Sequence, residues 1–112
     1  MRRIVAILVL AALLPACTTL STTHRYQPPG AAGDAWQLTV ERKYAPGVQV
    51  LTLLIDGETV STMRLSLMQR QNTTYADFRG HRVEYQCAFS RGGSGVNCAA
   101  LVDGDRAGQF YF

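Results

Sequence analysis

The sequence predicts an all-β protein: a small antiparallel meander of about six to seven strands, folded as a sandwich or a partly closed barrel. Three observations carry that reading. Apolar and polar residues alternate with period two in short runs, as Trp36, Leu38 and Val40 do against Gln37, Thr39 and Glu41. Glycine-bearing turn signals separate the runs, with Asp56-Gly57 and Asp103-Gly104 the strongest. The body from Ala35 to Phe112 spans 78 residues, room for one domain of short strands.

The chain begins on a different pattern. Met1-Arg2-Arg3 is cationic, and Ile4 to Leu14 is an unbroken apolar run of eleven residues. That length fits a secretory signal segment and falls short of the ~20 residues that span a bilayer. The run closes on Leu14-Pro15-Ala16-Cys17, a branched apolar residue, a variable one, a small one and a Cys. This stretch resembles the lipobox of bacterial lipoproteins. The resemblance implies that residues 1–16 are a signal peptide and that Cys17 is lipidated, carrying a diacylglyceryl thioether and an acylated amine. Two or more acyl chains make a stable membrane anchor. Thr18 follows, where Asp commonly retains lipoproteins of Gram-negative bacteria at the inner membrane. An outer-membrane address facing the periplasm is therefore expected.

Residues 17–34 read as the lipidated Cys and a flexible tether, rich in Thr, Ser, Pro and Gly and without period. A tether of about 16 residues reaches roughly 20–24 Å. The β-rich domain is expected over residues 35–112. Its first strand starts at Trp36, and Ala45-Pro46-Gly47 turns the chain. Val48 to Ile55 is apolar on both parities, which predicts a central strand covered on both faces. Asp56-Gly57 leads to a strand from Thr59 to Leu67, preferred over a helix across Ser61 to Arg70 because the residues alternate. Met68 to Asn72 reads as a polar loop. Thr73 to Phe78 and His81 to Ser90 form a hairpin across Arg79-Gly80. Asn97 to Val102 and Arg106 to Phe112 follow, joined at Asp103-Gly104. The expected core is Trp36, Leu38, Val50, Leu53, Leu65, Val83, Tyr85, Phe89 and Phe110.

Three cysteines are an odd number for an exported chain. With Cys17 lipidated, Cys87 and Cys98 remain as an even pair, and the default for such a pair is a disulfide rather than free thiols or a metal site. Pairing them across one hairpin leaves Arg91 to Ser94 as its loop and sets Phe89 opposite Val96.

Loss of Arg2 and Arg3 with the leader leaves nine basic against eight acidic residues, a net charge of +1. That excludes an electrostatic footprint for nucleic acid, and no basic run marks a membrane patch. Catalytic signatures are equally absent. Ser90 and Ser94 lack a nucleophile elbow. His81 with Asp77 could approach across the Arg79-Gly80 turn, but a polar hairpin flank is the plainer reading. Asp56, Glu58, Asp103 and Asp105 lack calcium-loop spacing and fit turn chemistry. No cofactor, metal or enzymatic activity is expected.

The expected function is that of a non-enzymatic outer-membrane lipoprotein binding or supporting another envelope component, with an envelope protein as partner. Arg91, Gly92, Gly93, Ser94 and Gly95 form a candidate contact loop. An alternative is a periplasmic inhibitor of a hydrolase such as lysozyme, acting through that loop. Glu84-Tyr85-Gln86-Cys87 resembles a string in small lysozyme inhibitors of the C-type class, and Ser94-Gly95 would match their Ser-Gly loop. That string lies near the mature start in the family, whereas only 25 residues follow Cys87 here.

Overall fold

The computed structural model describes residues 18–30, 33–45, 47–90 and 95–112. The leader, Cys17 and the loop residues Arg91, Gly92, Gly93 and Ser94 lie outside the described residues. Among the described residues are nine strands and no helix. They are β1 (Thr18–Leu20), β2 (His24–Tyr26), β3 (Trp36–Ala45), β4 (Val48–Ile55), β5 (Glu58–Ser66), β6 (Gln71–Phe78), β7 (His81–Phe89), β8 (Val96–Val102) and β9 (Asp105–Tyr111). The segment weighed as a helix is therefore strand β5 and the turn after it.

Two antiparallel sheets pack into a sandwich. The first runs β1-β3-β4-β5, with β2 also on β3, and the second runs β6-β7-β8-β9. Period two explains the packing directly. On β7 Val83, Tyr85 and Cys87 are buried, while Arg82 and Gln86 face out. Leu38, Val40, Leu51, Leu53, Ile55 and Leu65 of the first sheet meet Val83, Tyr85, Val96, Val102 and Phe110 of the second. The two sheets touch along both sides of the sandwich. Ser61 and Thr74 share a hydroxyl hydrogen bond of 2.6 Å where β5 passes to β6. Across the other side His24 of β2 stands edge-on to Phe110 of β9, 5.0 Å between ring centres.

The three hairpin turns share one geometry. Asp56, Arg79 and Asp103 have φ of 52°, 51° and 50°, and the glycine after each has φ of 80° or 88°. Two successive positive φ values make type I′ turns, whose twist matches that of the strands they join. Glycine adopts the second position at no steric cost.

Four expectations need correcting. β4 is covered on one face. Leu51, Leu53 and Ile55 are buried, but Val50, Thr52 and Leu54 are only half-buried because no second layer covers that side among the described residues. Phe89 is likewise half-buried at the edge of the core. The polar loop after β5 is shorter than expected, since Gln71 and Asn72 already belong to β6.

The fourth correction concerns the tether. Thr18 pairs with Lys43, Leu20 with Glu41, His24 with Leu38 and Tyr26 with Trp36. Ser21 clasps the strand between them: its N–H donates to the Val40 carbonyl and its Oγ accepts from the Val40 N–H, both at 2.9 Å. Pro28 is fully buried. Residues 18–28 therefore add an edge to the first sheet and satisfy backbone groups that β3 would otherwise expose.

Candidate functional site

The outer face of the second sheet holds a shallow depression of about 580 Å3. The strand register builds it in rows. Gln71, Ala88, Asn97 and Tyr111 stand side by side across β6 to β9. Thr73, Gln86, Ala99 and Gln109 form the next row, and Tyr75, Glu84, Leu101 and Arg106 the row beyond. The two alanines keep the centre low. Four carboxamides surround them, each able to donate and to accept. The first two rows carry no charged side chain. Gln86 donates to the Glu84 carboxylate, and Gln109 accepts from Arg106 at 3.0 Å, so two of the amides are already oriented. Exposed Tyr111 and Tyr75 border the depression at opposite corners, and the Arg82 guanidinium lies 4.6 Å over the Tyr75 ring. Such a surface suits an uncharged ligand rich in hydrogen-bonding groups.

Cys87 and Cys98 lie beneath this face, opposite each other in the ladder and joined by a disulfide. Phe89 is opposite Val96, the register expected from the sequence. Ser90 N–H donates to the Gly95 carbonyl at 2.8 Å, closing the hairpin behind residues 91–94. Gly95 is tightly placed: a Cβ there would stand 2.7 Å from both the Phe112 carbonyl and Ser90 Oγ. The contact-loop residues Arg91, Gly92, Gly93 and Ser94 cannot be placed with it, since they lie outside the described residues.

A second polar cluster joins the three type I′ turns. Asp56 accepts from the Gln37 N–H at 2.9 Å and from Arg79 Nη1 at 2.8 Å. The Arg79 guanidinium also lies over Phe78, 4.6 Å from the ring centre. His81 pairs with Asp103 rather than Asp77: its Nδ1 lies 2.5 Å from Asp103 Oδ2. The alternation explains why. Asp77 pairs with Arg82 on the outer face, while His81 shares the inner parity of β7 and meets the Trp36 ring at 5.3 Å. Asp103 also accepts from the Arg82 N–H at 2.9 Å. Both of its carboxylate oxygens are thus committed to holding the turn. Among the described residues no hydroxyl or thiol joins the His81–Asp103 pair, and no group of three His, Cys, Asp or Glu side chains could hold a metal ion.

The His81 hydrogen bond, seconded by the Arg82 N–H, lowers the Asp103 carboxyl below its ordinary value of 3.8. A lowered carboxyl stabilises the fold above the unfolded value, and that contribution is lost as pH falls through the folded value. Asp103→Asn should therefore lose less stability than the parent protein on acidification. Urea midpoints at about pH 7 and about pH 3 test this. Equal acid losses in both proteins would remove Asp103 from the acid response.

No family model, curated protein or solved structure matches this chain.

Proposed function

We propose that the protein is an outer-membrane lipoprotein, anchored through Cys17, that binds another envelope component and catalyses no reaction. The amide-lined outer face of β6 to β9 is its binding surface. One observation carries the choice of surface: four carboxamides from four different strands converge on an uncharged, alanine-floored depression. Support for the compartment comes from the lipobox-like Leu14 to Cys17 and from a disulfide suited to an oxidising space. The anchoring part is read from the mass of the membrane-extracted protein, which should begin at Cys17 and carry acyl chains.

A photo-reactive amino acid placed at Thr73 should trap the partner in intact cells. The same group at Thr62, on the outer face of the first sheet, should trap little. The adduct's mass separates a protein partner from a glycan. Trapping from Thr62 and none from Thr73 would move the binding surface to the other sheet.

A further inference from the structure

We propose that one end of the sandwich rests on the lipid surface, through a tip built from Tyr44, Leu67, Met68, Arg42, Lys43 and Arg70. The inference rests on the lipid-anchor reading above and fixes how the body sits on that anchor.

The two ends of the sandwich differ in chemistry. One end carries the three type I′ turns, with Asp56, Glu58, Asp103 and Asp105 beside them. With Asp77, five of the eight acidic residues are gathered there, partly offset by Arg79, Arg82 and Arg106. The opposite end carries the β3–β4 turn, the β5–β6 connection and the β7–β8 hairpin closure at Ser90 and Gly95. Here Leu67 is 81%, Met68 96% and Tyr44 51% exposed. Single apolar residues on a surface are ordinary, but three at one end form a patch. Leu67 and Met68 occupy a tight turn in which Ser66 and Gln69 exchange backbone hydrogen bonds of 2.9 and 3.2 Å. A polar pair would serve that turn as well, so the turn itself does not require apolar side chains. Tyr44 and Leu67 also line one small cleft with Leu65 and Phe89, of about 270 Å3.

Cations ring the same end. Arg42 lies 4.8 Å over Tyr44 and 4.9 Å over Phe112, and Arg70 lies 5.3 Å over Phe89. Lys43 is next in the chain and pairs loosely with Glu41 at 3.4 Å. The sequence has no basic run, yet the fold collects three cations around exposed apolar groups. A tyrosine ring and cationic heads beside aliphatic side chains suit the boundary between head groups and acyl chains.

The path of the chain selects the membrane as the occupant. Thr18 pairs with Lys43, so the first described residue sits at this same end. Cys17 is one peptide unit away, ~3.8 Å between Cα atoms. The β1–β3 pairing removes the slack of a free tether. Lipid attached at Cys17 would therefore draw Lys43, Tyr44 and their neighbours to the bilayer and turn the acidic end toward the aqueous space.

The test uses the full-length acylated protein in vesicles of phosphatidylethanolamine and phosphatidylglycerol. Trp36 is the chain's single tryptophan and lies beside Phe78 and His81, at the acidic end. In Leu67→Trp, lipids brominated just below the head groups should quench the added emission at least two-fold, while Trp36 emission in the parent protein stays unchanged. Adding Met68→Ser to that variant should weaken the quenching. Both sites are exposed, so folding should survive. Acylated protein with an unquenched Leu67→Trp would overturn the docked orientation and leave the anchor standing. Protein without acyl chains would overturn both.

Discussion

Phe110→Ala is expected to be the most damaging single truncation in the second sheet. Phe110 is fully buried and stands opposite Cys98 in the β8–β9 ladder. Its ring fills the gap between the sheets and meets His24 of β2 edge-on. Gly108 makes the space: a Cβ there would come within 2.9 Å of the Phe110 ring and 3.3 Å of His24. Burying an aromatic ring in such a place and then removing it leaves a cavity, with a cost of about 3–5 kcal/mol. Domains of this kind are stable by only about 5–15 kcal/mol. The urea midpoint should fall sharply with the slope unchanged. Because β2 leans on this ring, the amides of His24 to Tyr26 should also exchange faster with solvent than those of β4. A loss below about 1 kcal/mol would mean that the ring is not a core group.

The link between β2 and Phe110 also shows where sequence reading stopped. The seven strands of the body were legible because alternation and Asp-Gly or Arg-Gly turns are local signals. Thr18–Leu20 and His24–Tyr26 are three residues each, too short to show a period. What makes them strands is the open edge of β3, a partner distant in sequence. For β4 the failure runs the other way. Val48, Val50 and Leu54 suggest burial, but the number of layers above a strand is set by tertiary packing and leaves no mark in the strand itself. The disulfide was legible as the even pair left once Cys17 is set aside, and pairing it across one hairpin sets the register. The amide face was not, because Gln71, Gln86, Asn97 and Gln109 come from four strands and meet only through their registers. For His81 the sequence offers Asp77 across the turn and favours a polar flank, because its partner Asp103 is 22 residues away.

Removing the disulfide should cost the next largest share of stability, and two routes to its removal should differ. The bridge closes a sequence separation of 11 residues. Chain entropy in the unfolded state then predicts a loss of ~3 kcal/mol or slightly less on reduction. At ~4–8 °C per kcal/mol for a domain of this size, Tm should fall by about 10–20 °C. Substitution removes more than the cross-link. Tyr85 is fully buried, and its hydroxyl donates to Cys98 Sγ at 3.8 Å, while burial pushes its pKa far up. Reduction leaves that sulfur in place. Cys87→Ala with Cys98→Ala deletes it and orphans the hydroxyl, a further cost of about 1–3 kcal/mol. Adding Tyr85→Phe to the double variant should recover most of that difference, measured as urea midpoints. Equal stabilities for the reduced protein and the double variant would show that the hydroxyl has no need of the sulfur. The face above should register the change as well. Gln86 and Ala88 flank Cys87, and Asn97 and Ala99 flank Cys98, so the bridge holds together the two central strands of the proposed binding surface. Trapping from Thr73 should therefore weaken in the double variant even where the protein remains folded.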